Sequence, residues 1–193
     1  MKLRKLIADT CKVFDELNIR YALIGGYAAI VYDSPYITHD IDFVIKDDKV
    51  TLDLLERLKN SGWNPTEEYN EAWELTAFGH CRVIRGKPLT ESQMEFVHKD
   101  TGVVLHFFGE VSGFKIKDGI KINESKIEGY PVNVCSAEDY LIMRASVWHE
   151  EDKQKAIVIV RAQGKNLNLD YLMKRAKEEK VTRRIKWLLK FQK

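Results

Sequence analysis

Two short motifs near the amino terminus have the residue types and the spacing of a site for phosphate chemistry. Gly25-Gly26 follows the apolar run 21–24, and after 13 intervening residues come Asp40 and Asp42. Residues i and i+2 of a strand point to the same face, so the two carboxylates should project side by side. Such a pair repels unless one carboxylate is protonated or a cation lies between them. Divalent cations such as Mg²⁺ bind carboxylate oxygens and complete their coordination with water and substrate phosphates.

The two glycines predict the other half of this site. Residues 21–24 have the pattern of a buried strand and residues 27–32 that of a helix start, which places Gly25-Gly26 at the turn between them. Backbone N–H groups at such a turn can approach a phosphate closely because no side chain intervenes. A tight turn and a solvated strand end would explain each motif alone, but their order and spacing together favour a nucleoside triphosphate site. A dinucleotide-binding turn is disfavoured because the third glycine of its fingerprint is missing.

These motifs resemble the signature of a known superfamily. Ile24-Gly25-Gly26 followed by Asp40-Ile41-Asp42-Phe43 is similar to the polymerase-β-type nucleotidyltransferases, and above all to their small stand-alone bacterial and archaeal members. Those members include minimal, antibiotic and abortive-infection nucleotidyltransferases. Residues 136–144 resemble the helix that follows the catalytic sheet in these proteins. The resemblance implies an NTP as donor, an unidentified acceptor, and two metal ions, with Mg²⁺ expected and Mn²⁺ as the alternative. It implies metal ligation by Asp40 and Asp42, and nucleotide contacts from Gly25, Gly26, Thr38 and Arg144.

The sequence departs from the superfamily pattern at two places. Tyr36 stands where an arginine is frequent, and the third carboxylate expected on a later strand is absent. Depending on the register, Val104 or His106 occupies that position. His106 could act as a general base, because imidazole titrates near neutral pH, and it would then control turnover more than binding. As a ligand it suits Mn²⁺ or Zn²⁺ better than Mg²⁺. His106 could also be a packed strand residue without function. The carboxylates nearest to the position of the missing acid are Glu95 and Glu110.

The periodicity of the chain predicts an α/β (α+β) fold, a mixed sheet of the nucleotidyltransferase type flanked by helices, with a C-terminal helical segment. We expect residues 1–134 to form the core and residues 135–193 the helical segment packed on it. Ser136 should cap the first helix of that segment, with Asp139 completing an acidic capping box. Residues 63–91 show no clear period. The predicted helices are 3–17, 27–33 and 50–60, and the predicted strands are 20–25, 41–46, 92–98, 102–108 and 131–134.

Composition indicates a globular cytoplasmic enzyme or binding protein. The chain has 193 residues, of which 45% are hydrophobic and 31% charged, and this balance excludes a disordered chain. We expect no membrane association, since the start of the chain lacks a signal-peptide pattern and its apolar runs are too short to span a bilayer. Cys11, Cys81 and Cys135 have neither the number of a disulfide framework nor the spacing of a zinc site, so a reducing compartment is expected.

Positive charge is concentrated at the end of the chain. Residues 174–193 contain nine Lys or Arg and two Glu, whereas the preceding residues contain 22 basic and 27 acidic side chains. A basic helix of this kind can bind RNA. It can equally be a solvated helix face, because Val181, Ile185 and Leu188 supply an apolar stripe for packing. Arg144 likewise has two interpretations, a triphosphate contact or a salt-bridge partner.

Two functions follow as hypotheses. The first is a metal-dependent transfer of NMP from an NTP to a hydroxyl of a small molecule, a protein or RNA. The second is a catalytically degraded relative that binds nucleotide or a partner in a regulatory or toxin–antitoxin role. The missing third acid favours the second hypothesis. The intact Gly25-Gly26 and Asp40–Asp42 pairs favour the first.

Overall fold

The computed structural model describes residues 2–45, 52–66, 73–75, 81–83, 93–109 and 120–192. Within these ranges the chain forms seven α-helices, two short 3₁₀ turns and nine β-strands. The helices are α1 (Lys2–Glu16), α2 (Gly25–Val31), α3 (Leu52–Asn60), α4 (Ala137–Val147), α5 (Glu150–Gln163), α6 (Leu169–Glu178) and α7 (Thr182–Leu188). The strands are β1 (Tyr21–Ile24), β2 (Asp40–Ile45), β3 (Trp63–Pro65), β4 (Trp73–Leu75), β5 (Cys81–Val83), β6 (Gln93–His98), β7 (Val104–Phe108), β8 (Ile122–Ile127) and β9 (Tyr130–Cys135).

Seven of these strands form one mixed sheet in the order β3-β6-β7-β2-β1-β9-β8, and β4 and β5 form a separate pair. The central strand β2 runs antiparallel to β1 and parallel to β7. At one side β6 and β7 form the predicted antiparallel hairpin, and at the other β9 lies parallel to β1. The predicted α+β class with a mixed sheet and flanking helices is therefore confirmed.

One face of the sheet is an aromatic core that α1 covers. Phe14 of α1 has its ring centroid 5.1 Å from that of Phe43 and 5.5 Å from that of Phe107. Tyr21 completes the cluster, and all four side chains are buried. Because strand side chains alternate between the two faces, this packing directs residues 40, 42 and 106 to the opposite face. The core thus determines which face carries the polar side chains.

The predicted elements of the first half of the chain occur with bounds shifted by one or two residues where they are described. Val50 and Thr51, which were expected to begin the third helix, lie outside the described residues, as do most positions of 63–91. Strand β8 was not predicted. Its sequence, INESKI, has apolar residues only at its ends. Among the described strands it lies at the edge of the sheet and pairs only with β9, and most of its side chains remain at least partly exposed. Such a strand lacks the apolar alternation from which strands are recognised.

Four α-helices, α4 to α7, follow residue 136 and form the predicted C-terminal helical segment. Ser136 caps α4 as predicted, with its hydroxyl accepting from the Asp139 N–H at 3.1 Å. The predicted capping box is wrong, because the Asp139 carboxylate does not return to Ser136. It accepts from the Lys121 N–H at 2.6 Å and from the Tyr171 hydroxyl at 2.9 Å. The neighbouring Glu138 accepts from the N–H of Asn168, the first residue before α6, at 2.7 Å. These two buried carboxylates tie α4 to the start of β8 and to α6.

In the described ranges, no helix combines the length and the apolar character that crossing a bilayer requires.

Candidate active site

The parallel register of β2 and β7 brings together the residues that the sequence motifs indicated. Asp42 lies directly opposite His106, and Asp40 lies opposite Val104. One ligand atom each from Asp40, Asp42 and His106 can be chosen so that all three lie within 4.8 Å of one another. Val104 and His106, the two candidate positions for the missing acid, point to the same face of the sheet as the aspartates, as expected because they are two residues apart on β7. His106, rather than Val104, presents a polar group to the carboxylate pair.

His106 lies between two carboxylates from neighbouring strands. Its Nδ1 atom is 2.9 Å from Asp42 Oδ1, and its Nε2 atom is 3.2 Å from Glu95 Oε2. The imidazole and the Asp42 carboxylate are each only 14% exposed. The hydrogen bond to Asp42 raises the pKa of His106 above its ordinary value; burial opposes this, and the contact with Glu95 adds to it. Each ring nitrogen of His106 is therefore paired with a carboxylate oxygen.

The two glycines leave room for the site's own side chains. A Cβ atom on Gly25 would overlap the Asp42 carboxylate, and Gly25 has a left-handed φ of +65°. A Cβ atom on Gly26 would lie 2.5 Å from Thr38 Oγ1. Thr38 in turn donates its hydroxyl to the Asp40 carboxylate. The glycine turn and Thr38 therefore position the two carboxylates. The sequence had suggested only that these residues contact the nucleotide.

A cleft of about 310 Å³ connects these groups to helices α4 and α5. Its walls include the glycine turn, Thr38 and both aspartates, with Arg144 and Lys155 among the helix residues. Arg144 Nη1 donates to Asp152 Oδ1 at 3.0 Å, which confirms that it is a salt-bridge partner. Arg144 also lines the cleft, and its contact with a triphosphate stays a prediction. Lys155 forms an ion pair of 2.5 Å with Glu151.

Sequence reasoning missed Lys155. No motif marks this lysine, because it reaches the cleft only through the packing of α5 on α4. His39, which precedes the first aspartate, and Tyr36 are both exposed. Glu110, one of the two carboxylates considered as a substitute for the third acid, lies outside the described residues. The other candidate, Glu95, contacts His106 and not the aspartates.

The donor set of this cluster fits a divalent ion. Two carboxylates and one imidazole converge within a space that a single ion can bridge, and such mixed oxygen and nitrogen sets bind divalent metals in proteins. An ion bound between Asp40 and Asp42 would offset the repulsion between their carboxylates.

Comparison with known proteins identifies the family of the chain. Residues 3–186 match the family described as "Nucleotidyl transferase of unknown function (DUF2204)". The chain belongs to this nucleotidyl transferase family. Membership supports nucleotidyl transfer as the general activity of the protein. No curated protein sequence matches the chain.

Several solved structures have a similar fold. The antibiotic-resistance factor ANT(2'')-Ia, in its solution structure, superposes with a TM-score of 0.57 at 15% identity over 92% of both chains. Its crystal structure in complex with adenylyl-2''-tobramycin gives a TM-score of 0.55 at 16% identity, over 92% of this chain and 98% of that one. An antigenic nucleotidyltransferase-like protein from Paracoccidioides brasiliensis gives a TM-score of 0.55 at 19% identity, over 98% of this chain and 93% of that one.

Proposed function

We propose that the protein is a metal-dependent nucleotidyltransferase that moves NMP from an NTP to an acceptor hydroxyl. The observation that carries this proposal is the convergence of Asp40, Asp42 and His106 in a cleft whose helical wall holds Arg144 and Lys155. Negative groups on the sheet side suit a metal ion, and positive groups on the helix side suit a triphosphate. Family membership supports the same chemistry.

The reaction is a substitution at the α-phosphorus of the NTP. The acceptor oxygen forms a bond to that phosphorus, the bond from the phosphorus to the oxygen bridging the β-phosphate breaks, and pyrophosphate leaves. The acceptor proton passes to solvent water. Bound divalent metal would neutralise charge on the transferring group and favour ionisation of the acceptor. Asp40 and Asp42 would hold that metal, and Thr38 keeps the Asp40 carboxylate in place.

We place the triphosphate between the glycine turn and α4. Gly25 and Gly26 line the cleft without side chains, so their backbone can lie against phosphate oxygens. Arg144 retains 23% exposure while Asp152 fixes its guanidinium, which leaves a preorganised cation at the cleft wall. Lys155 is 29% exposed, and a phosphate would compete with Glu151 for its ammonium group.

The class of acceptor is a separate question. ANT(2'')-Ia was crystallised with adenylyl-2''-tobramycin, and we carry over from it only the general idea of a hydroxyl acceptor. A specific observation favours RNA as a candidate. The exposed face of α7 and the turn after it carries a basic stripe of Arg183, Lys186 and Lys190 around Trp187. Trp187 packs on Trp148, ring centroids 5.5 Å apart, and Trp148 follows Val147 of the cleft wall.

The alternative function, a catalytically degraded protein that binds nucleotide or a partner in a regulatory or toxin–antitoxin role, rests on one observation. A histidine stands where the superfamily pattern has its third acid, and both of its nitrogens contact carboxylates. Such a protein would bind NTP in the cleft and transfer nothing. Transfer assays separate this alternative from the proposed enzyme.

The decisive experiment follows transfer of label from each α-³²P-labelled NTP, with Mg²⁺ or Mn²⁺, to RNA, to small hydroxyl compounds and to the protein itself. Asp40→Asn and Asp42→Asn should abolish transfer and metal-dependent nucleotide binding. Both variants should remain folded, because they remove a like-charge pair. Asp100→Asn, in the exposed turn between β6 and β7, is the matched control and should behave as the wild type. Unaltered transfer by either aspartate variant would refute the proposed site.

A further inference from the structure

The geometry around His106 is that of a metal ligand with an outer partner. In an octahedral site with ligand bonds of about 2.1 Å, two adjacent donor atoms lie about 3.0 Å apart. The distance from His106 Nδ1 to Asp42 Oδ1 is 2.9 Å. The two atoms are therefore already spaced as neighbouring ligands of one ion, and both side chains are largely buried with restricted freedom.

The second nitrogen of the same ring supports this assignment. Metal-binding histidines usually donate their other N–H to a carboxylate or carbonyl, which fixes the tautomer and the ring orientation. His106 Nε2 lies 3.2 Å from Glu95 Oε2. Glu95 stands directly opposite His106 in the β6–β7 pairing, so the contact is built into the hairpin register. With the proton on Nε2, the lone pair of Nδ1 points towards Asp42.

We propose that His106 is a ligand of the divalent ion through Nδ1, that Glu95 is its positioning residue, and that the site consequently discriminates in favour of Mn²⁺ over Mg²⁺. Divalent first-row transition metals, of which Mn²⁺ binds least tightly, accept nitrogen ligands, whereas Mg²⁺ selects oxygen donors. This inference deepens the proposed function, since it concerns the ion of the same site. It differs from a general-base role, in which His106 would leave metal affinity unaffected.

The test is calorimetric titration of the metal-free full-length protein with Mn²⁺ and with Mg²⁺. Wild type should bind Mn²⁺ more tightly than Mg²⁺. His106→Ala should weaken Mn²⁺ binding by at least 100-fold with a much smaller effect on Mg²⁺. Glu95→Ala should weaken Mn²⁺ binding by about 10–100-fold, the usual effect of losing an outer partner. Glu95→Gln, whose amide oxygen can still accept the Nε2–H, should recover most of that loss. Glu124→Ala, an exposed glutamate on edge strand β8, is the matched control.

A spectroscopic readout tests the ligand atom directly. Electron spin-echo spectra of the Mn²⁺-loaded protein should show coupling to one imidazole nitrogen, and His106→Ala should lose it. His106→Asp should reverse the ion preference by improving Mg²⁺ binding relative to Mn²⁺. Absence of nitrogen coupling in the wild type, or unchanged Mn²⁺ affinity in His106→Ala, would overturn the proposal. If Mn²⁺ binds through His106 but no nucleotide is ever transferred, the metal assignment stands and the proposed function fails.

Discussion

Among single residues, His106 has the largest consequences for the site. One imidazole separates the Asp42 carboxylate from that of Glu95, and Asp40 lies within the same cluster. Without metal, an imidazolium in this place offsets the negative charge of its neighbours. In the proposed site, a bound ion would take over that function, and the imidazole would ligate as a neutral ring. The same residue would then stabilise the metal-free fold and complete the proposed metal site.

The first prediction concerns the pH dependence of stability in the metal-free protein. The folded-state pKa of His106 is raised, chiefly by Asp42, so its protonated form favours the folded state. This contribution is fully present below the unfolded pKa of about 6.5 and is lost as the pH rises through the folded-state value. Urea unfolding in EDTA between pH 5.5 and 9 should show the loss.

The difference in unfolding free energy between wild type and His106→Ala isolates this contribution. It should be largest at the acidic end of the range and should shrink as the pH rises. His39→Ala, which removes an exposed histidine, serves as the control for the loss of one imidazole. A difference that does not vary with pH would contradict the assigned hydrogen bonds.

The second prediction separates backbone strain from steric overlap at Gly25. Gly25 and Gly129 both have left-handed φ values, so the backbone strain from alanine at either position should cost about 1–2 kcal/mol of stability. Only at Gly25 would the new Cβ overlap the Asp42 carboxylate; nothing lies near that of Gly129. Gly25→Ala should therefore weaken Mn²⁺ binding in a calorimetric titration, whereas Gly129→Ala should not. Equal metal affinity in the two variants would show that Asp42 does not depend on the glycine.

At the scale of elements, the start of α4 joins the sheet to the C-terminal helices. Ser136 caps the helix, while Asp139, three residues on, accepts hydrogen bonds from the first residue before β8 and from Tyr171 of α6. Arg144, on the same helix, lines the cleft. Because hydrogen bonds connect the start of α4 to the sheet and to α6, this helix can hold Arg144 in a fixed place in the cleft.

The third prediction ranks Ser136 and Asp139 by their contribution to stability. Ser136→Ala should cost about 1 kcal/mol, the usual effect of losing an N-cap. Asp139→Ala should cost about 2–3 kcal/mol, because it leaves buried hydrogen-bond donors without their charged acceptor. Chemical denaturation measures both, with Asp170→Ala in the exposed first turn of α6 as the control. Equal costs for Ser136→Ala and Asp139→Ala would favour the simple capping box instead.

At the scale of the whole molecule, the candidate active-site cleft lies between the sheet and helices α4 and α5, which follow it in sequence. Ligand binding in the cleft should stabilise the sheet and the C-terminal helices together, since the ligand would contact Asp42 on the sheet and Arg144 on α4. A ligand that binds only the folded state raises the unfolding free energy by mass action.

The fourth prediction follows from this linkage. An NTP with Mn²⁺, each at about 100 times its dissociation constant, should raise the unfolding free energy by roughly 2.7 kcal/mol from the nucleotide alone. For a chain of this size, that corresponds to a rise in Tm of roughly 5–10 °C. Thermal melts with ATP, GTP, CTP and UTP would also identify the preferred base. Asp42→Asn should abolish the shift, and a wild type that no nucleotide stabilises would sink the cleft as a nucleotide site.

The sequence by itself determined the local parts of this protein. Buried strand, glycine turn, helix and Asp-x-Asp strand follow from residue order, because the alternation of strand side chains and the conformational freedom of glycine act over a few residues. The β6–β7 hairpin and the Ser136 cap are local for the same reason, and the structure confirms both. Where the alternation of apolar and polar residues is weak, as in the largely polar strand β8, the sequence did not predict a strand.

Only the tertiary structure decided which groups meet. The choice of His106 over Val104 depends on the parallel register of β2 and β7, strands more than sixty residues apart, which the packing of Phe43 and Phe107 on α1 supports. The contact of Glu95 with His106, the arrival of Lys155 in the cleft and the partners of Asp139 depend likewise on how separate elements pack. Long-range register follows from the fit of many side chains in one core, and no short stretch of sequence contains that information.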